Sequence, residues 1–347
     1  MNVHLVVPEL FPDPERGDAQ ISDTRAVALE MLFARGRRRS EPGATLEAWL
    51  LGAFAIARQS DWPAAPYSLI ADDGEPNSAW WLRADPVYLR ADRDTVLFSD
   101  LELTDIAPDE AASLAASLNA HFAATGITIH PRRSNRWYVR VDRDPAMCAP
   151  PLADIRGQPL LAHMPDGPEG GSWRSILNEM QMLLHEHPVN QSREARGAAT
   201  VNGLWLWGAG RIAGAPRTVY ARMTADHPVA RGLALAAGKR PTPLPSSARE
   251  WLESAGRSGD QSAGVEAVVL DSLRAPAAHG DVAAWRTELE ALERDWFAPL
   301  LTALRSGSIG MITLHAPGIA RTSVAETTRQ DLRCFWRRRR PLATYAA

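Results

Sequence analysis

Residues 172–211 read SWRSILNEMQMLLHEHPVNQSREARGAATVNGLWLWGAGR. Apolar side chains at Trp173, Ile176, Leu177, Met180, Leu183 and Leu184 recur at the three-and-four spacing of one helix face. Ser172 stands where a cap belongs, and Gly170 and Gly171 uncouple the run from what precedes it. Pro188 cannot continue a helix and biases His187 toward extended backbone, so the helix is expected to stop near His185 or Glu186. Burying that face contributes roughly 1.5–3 kcal/mol per large side chain, ample to hold it on a sheet. After a polar segment from Asn190 to Asn202, Gly203-Leu204-Trp205-Leu206-Trp207 reads as a buried strand ended by Gly208 and Gly210. Glycines beside Asn, His and Arg suit close backbone approach to an anionic ligand. They equally suit a helix–turn–strand whose polar residues tie their own loop together.

Outward from this stretch the chain changes texture twice. Val3–Val7 is a short apolar run stopped by Pro8, and residues 24–35 and 44–58 carry helical spacing. Arg35, Arg37, Arg38 and Arg39 lie between those helices, where a charge run is expected to be a solvated loop. Strand-like runs at 79–83, 87–90 and 95–98, a helix over 108–124 and strands at 127–130 and 136–141 form a β-β-β-α-β-β block. Residues 142–171, rich in Pro, Gly and Asp, read as a linker, and Ser254–Gly264 as a loop. Val265–Leu270 and Ile309–His315 read as buried strands, with a long amphipathic helix over 282–305 disturbed at Pro299. The tail ends in four arginines, Arg337–Arg340.

The expected fold is therefore α/β: a core over 1–64 and 172–347, an inserted α+β unit over 65–145, and a linker over 146–171. At 347 residues, 45% hydrophobic and 23% charged, the chain has an ordinary globular composition, and its net charge of −3 argues against nucleic acid as a partner. Cys148 and Cys334 lack any metal or redox spacing. MNVHLVVPELFPD has neither the basic start nor the apolar length of an export signal, and no run reaches a membrane span. The cytoplasm is the expected compartment.

The passage HPVNxxRExxGxxxVNxLWLWGxG resembles the RpfE-type regulatory proteins of bacteria, a likeness that runs through nearly the whole chain. A fainter likeness links it to archaeal-type cofactor-independent phosphoglycerate mutases of the alkaline phosphatase superfamily. The first resemblance implies a role in regulating virulence-factor production. The second implies an alkaline-phosphatase-like core sheet flanked by helices. It also implies two divalent metals, Mn or Zn, held by Asp and His around a Ser or Thr nucleophile.

The chain departs from that pattern where the metals belong. Its first strand runs into Pro8-Glu9-Leu10 without Asp-Gly. The histidine after Val265–Leu270 persists as His279 without an acidic pair, and the last strand ends Leu314-His315 where Asp-His is expected. Hard cations need anionic donors, so no cofactor and no catalytic residue is expected. His185-Glu186-His187 on a helix diverge, HExxH is absent, and no GxSxG or phosphate loop occurs. The favoured expectation is a non-catalytic regulatory or ligand-sensing protein, a pseudoenzyme with an anion pocket at His187, Asn190, Arg193, Asn202 and Trp207. Its partners would be a phosphorylated small molecule and a protein, with no membrane. The alternative is an active mutase or phosphatase with an altered metal site at Glu9, His279 and His315. A third reading is an interaction scaffold whose arginine tail docks a partner.

Overall fold

Alternation along the first strand puts Val3 and Leu5 on one face and His4 on the other. The computed structural model, which describes residues 1–12, 24–257 and 264–346, builds both faces from that pattern. The described strands are β1 (Asn2–Val6), β2 (Arg37–Pro42), β3 (Trp80–Val87), β4 (Leu89–Asp92), β5 (Thr95–Phe98), β6 (Ile127–Arg133), β7 (Arg136–Val141), β8 (Gly203–Gly210), β9 (Tyr220–Thr224), β10 (Val265–Val269), β11 (Met311–Ala316) and β12 (Arg321–Thr328). They fall into two compact units, one of residues 1–55 with 217–347 and one of residues 56–216.

The first unit is a mixed α/β sheet in the order β2-β12-β11-β1-β10-β9, flanked by helices. β11, β1, β10 and β9 run parallel, while β12 and β2 complete one edge antiparallel. Val3 and Leu5 join Leu29, Trp285, Leu300 and Leu314 in one buried cluster beneath the helices Val27–Arg35, Val282–Leu292 and Ala298–Ser306. The long C-terminal helix is interrupted by a π-turn at Glu293–Phe297, directly before Pro299, whose missing amide proton would break a regular ladder. Of the arginine run expected as a loop, Arg35 ends the helix Val27–Arg35, and Arg37, Arg38 and Arg39 stand on the edge strand β2. The side chains of β2 are exposed or half-buried throughout, so its composition is that of a solvated loop.

The second unit holds a four-stranded antiparallel sheet, β6-β7-β3-β8, and the hairpin β4–β5. The helix Gly170–His185 ends where Pro188 dictates, but Pro188 also starts a second, polar helix, Pro188–Ala195. Proline suits the first helical position because its missing N–H has no intrahelical partner there. The organising stretch belongs to this unit rather than to the core sheet: β8 pairs with β3, Trp207 opposite Arg83 and Trp205 opposite Asp85. The inserted unit therefore runs over 56–216 instead of 65–145, and absorbs the helix Ala64–Ala71 and the segment expected as a linker. Most of the loop expected over Ser254–Gly264 lies outside the described residues.

One buried ion pair stands out in the first unit. Glu47, on the helix Leu46–Ala53, is 3% exposed. Each of its oxygens accepts from an Nη of Arg274 at 2.8 Å, and His227 Nε2 lies 3.3 Å away. Burial pushes the Glu47 carboxyl up, but Arg274 and His227 outweigh it and hold the group well below the usual carboxylate range. Arg274→Met should strand a buried carboxylate and cost about 3–5 kcal/mol in urea unfolding at neutral pH. A loss within the scatter of surface substitutions would refute the assignment.

Candidate functional site

The residues expected to form an anion pocket all lie in the second unit, and each is engaged within it. Arg193, on the polar helix, is completely buried. Its Nε donates to the Ala199 carbonyl, its Nη1 to Glu110 and its Nη2 to Asp105, each at 2.7 Å. The anion that Arg193 pairs is thus supplied by the chain itself, from the N-terminal turn of the helix Pro108–His121 and the loop before it. Asn190 donates to the carbonyls of Leu184 and Val201 and accepts from the Val201 amide. Asn202 both accepts from the Leu89 amide and donates to the Leu89 carbonyl, so its side chain imitates a paired strand residue. His187 caps its helix by accepting from the Val189 amide at Nδ1. That leaves the proton on Nε2, which donates to Ser117 Oγ at 3.0 Å. Burial pushes the His187 ring below the usual imidazole value.

Trp207 stands apart from the other four, in a buried network the sequence reading missed. Its Nε1 donates to Asp85 Oδ2 at 2.7 Å, and Asp85 Oδ1 accepts from Arg83. The Arg83 guanidinium sits 5.1 Å from the Trp207 ring and donates to Ser68 Oγ, which contacts the Tyr138 hydroxyl. Tyr138 donates to Asp72, which also accepts from Arg133 and Arg136. Only the alternating Arg83-Ala84-Asp85 within an apolar strand hinted at this. The glycines of β8 have an internal purpose too. A Cβ at Gly210 would lie 2.3 Å from Pro63 Cβ, and one at Gly208 3.0 Å from Ala64 Cβ, so they admit the start of the helix Ala64–Ala71 rather than a ligand. Asp61, buried nearby, accepts from the Gly208 amide, and burial raises its carboxyl to about 6.

In the first unit, ligands of an open parallel sheet are expected beyond the carboxyl ends of the strands. β1 and β11 approach this edge in register, Val6 opposite His315. His315 Nε2 lies 3.2 Å from His4 Nδ1, the Tyr220 hydroxyl 3.4 Å from the same nitrogen, and the Trp49 ring centroid 4.8 Å from that of His315. Burial, then the charges of His4 and Arg39, push His315 down to about 3. Its Nδ1 and Thr313 Oγ1 are buried with no hydrogen-bond partner among the described residues. Glu326, across β12, is bound by Arg39. Glu9 follows β1 with φ of 55°, its amide donating to Pro317 and its carbonyl accepting from Trp285 Nε1. His279 is exposed at the end of the helix Arg274–His279. Among the described residues, no three of His, Cys, Asp or Glu converge to hold a metal, so Glu9, His279 and His315 do not form such a set. Among the described residues, the donors at this edge do not fit a pair of divalent ions.

Residues 76–190 match the family model of 2,3-bisphosphoglycerate-independent phosphoglycerate mutase, a span lying wholly within the second unit. A probable 2,3-bisphosphoglycerate-independent phosphoglycerate mutase of Geobacter sulfurreducens is 28% identical over 137 residues, 39% of this chain and 33% of that protein. The chain thus spans about a third of the length of that curated relative. Among solved structures, the PH0037 protein from Pyrococcus horikoshii aligns over 94% of this chain and 87% of its own, with a TM-score of 0.52 and 10% identity, and shares the fold. The cofactor-independent phosphoglycerate mutase of Thermoplasma acidophilum aligns over 94% and 89%, with a TM-score of 0.47 and 16% identity. The sequence matches support a divergent relationship to cofactor-independent phosphoglycerate mutases. No described helix is long and apolar enough to cross a membrane.

Two outcomes follow from this geometry. Arg193→Ala should cost about 1.5–3 kcal/mol, because the Ala199 carbonyl and Asp105 lose the buried guanidinium, while Glu110 keeps Arg196 and the Ala107 amide. Unchanged chemical unfolding would show that Arg193 is held for another purpose. His315, neutral when folded, stabilises the protein above its ordinary value of 6.5, and that contribution is lost as pH falls toward about 3. In this window the wild type should lose up to about 1.4 kcal/mol per pH unit more than His315→Asn. Parallel pH–stability curves for the two proteins would be the contrary result.

Proposed function

We propose that this chain is a non-catalytic regulatory protein, a ligand sensor built on a phosphoglycerate-mutase-like scaffold. The observation that carries the reading is the donor set at the strand ends. Where phosphoryl transfer on a paired-metal centre needs several carboxylates, β1 and β11 present His4 and His315 packed by Trp49 and Tyr220, with Glu326 bound by Arg39. Neutral imidazoles do not balance the charge of two dications. The likeness of the passage around His187–Gly210 to RpfE-type proteins supports a regulatory role, extending to virulence-factor production. A cytoplasmic location accords with that role.

The ligand in this reading is an anion, but Arg193 is not its receptor, since that guanidinium is consumed by Asp105 and Glu110. The test is elemental analysis of the purified full-length chain together with a phosphoglycerate mutase assay in added manganese. Substoichiometric metal and no turnover are expected. Stoichiometric metal with mutase turnover would establish the enzyme instead.

A further inference from the structure

The two arginine runs, some three hundred residues apart in sequence, meet on the surface of the first unit. Arg37 and Arg38 from the edge strand β2, and Arg337, Arg338 and Arg340 from the tail, line one cleft of about 760 Å³ with Trp336 in its wall. The tail is fixed in place. Leu342 and Tyr345 are buried, the Tyr345 ring stacks on Phe33 at 5.5 Å, and the Tyr345 hydroxyl accepts from the Arg340 amide. Arg337 Nη1 donates to the Arg35 carbonyl at 2.6 Å, and the Arg38 guanidinium lies 5.2 Å from the Tyr345 ring centroid.

Five arginines thus line one concavity. Among the described residues no carboxylate lines it, and none of the five forms an ion pair. The acidic groups nearby are engaged elsewhere: Glu30 faces Arg339, which is not in the lining, and Asp331 accepts from Thr328. Asp331 does feel Arg37 and Arg337; burial pushes its carboxyl up, but the Thr328 hydrogen bonds and these arginines hold it below its usual value. Like charges brought together repel, and the repulsion is relieved by an anion with several acceptor oxygens. Arginine's planar fork matches phosphate oxygens in pairs. Trp336 is 66% exposed beside Phe335 at 77%, an apolar surface left in water next to a strong positive field. An exposed indole beside a cluster of arginines offers a face on which a nucleobase can stack while its phosphates meet the guanidinium groups.

We propose that this cleft binds a nucleoside polyphosphate, its phosphates on the five arginines and its base on Trp336. The inference deepens the reading of the chain as an anion sensor by naming the site and the ligand class. The volume falls within the range of small-molecule sites, on the order of 300–1,000 Å³. The net charge of −3 works against long-range attraction of a polynucleotide, which favours the small ligand over a nucleic acid strand.

Calorimetric titration of the full-length protein with ATP, with inorganic tripolyphosphate and with a single-stranded oligothymidylate tests this. ATP should bind saturably and more weakly as salt rises. The double variant Arg338→Ser, Arg340→Ser should weaken ATP about tenfold or more. Trp336→Ala should weaken ATP about fivefold or more while leaving tripolyphosphate unchanged. All these positions are exposed, so thermal melting should match the wild type. Absence of ATP binding, or binding indifferent to the arginine variant, overturns the site. Equal loss of ATP and tripolyphosphate in Trp336→Ala overturns the stacked base. Oligothymidylate outcompeting ATP for the arginines reassigns the cleft to single-stranded nucleic acid. None of these results depends on metal content or mutase turnover, so this proposal and the non-catalytic reading fail separately.

Discussion

The first strand has no sheet partner among the residues that follow it closely. β1 lies between β10 and β11, with Val6 opposite both Val269 and His315. Its two parallel neighbours therefore arrive only with the last third of the chain. Parallel pairing requires a crossover, and here the crossover has grown to hold a whole second unit. The chain flanking that insertion is joined by the Arg217 amide donating to the Phe54 carbonyl at 2.9 Å. Long loops add little closure cost, since the entropy grows only with the logarithm of length, so the core sheet tolerates the insertion. The kinetic consequence is larger, because non-local parallel pairing must wait for the chain to close.

Within the second unit, polar groups replace what a ligand would supply. Arg83, Asp85, Trp207, Ser68, Tyr138 and Asp72 form one buried chain of donors and acceptors. Arg193 does the same against Glu110 and Asp105. In a low-dielectric interior each such bond strengthens its neighbours, and any unmet member is costly. That economy explains why the passage dense in His, Asn, Arg and Gly has its polar capacity consumed in holding a helix, a loop and a strand together.

Much of the fold was legible because burial imposes a period. The apolar face and the end of the helix Gly170–His185, the buried strands β8, β10 and β11 and the interruption before Pro299 follow from spacing and proline chemistry. The start of that helix does not: it begins at Gly170, inside the glycines expected to precede it and before the expected cap Ser172. What was illegible is what spacing does not encode. Apolar content says that β8 is buried, not which sheet receives it; that is decided by Asp85 reaching Trp207 and by Asn202 bridging to Leu89. Arg193 reads as an anion receptor because its own anions lie 83 and 88 residues away. The arginines of β2 read as a loop because an edge strand and a loop expose the same side chains. The meeting of the two arginine runs depends on Tyr345 docking against Phe33, a contact between distant ends that no local pattern announces.

The fate of the strand ends turns on charge rather than on proton affinity. A histidine held neutral is, taken alone, a better metal ligand, because the neutral imidazole is the form that coordinates. His315, pushed down to about 3 by burial, meets that condition. A dication in the same buried setting brings two positive charges that must be offset, and uncompensated charge in a low dielectric costs several kcal/mol per ion even after relaxation. His4 and His315 contribute no negative charge, and Glu326 is already bound by Arg39. Among the described residues, the same burial that frees His315 of its proton therefore works against the ion it would bind.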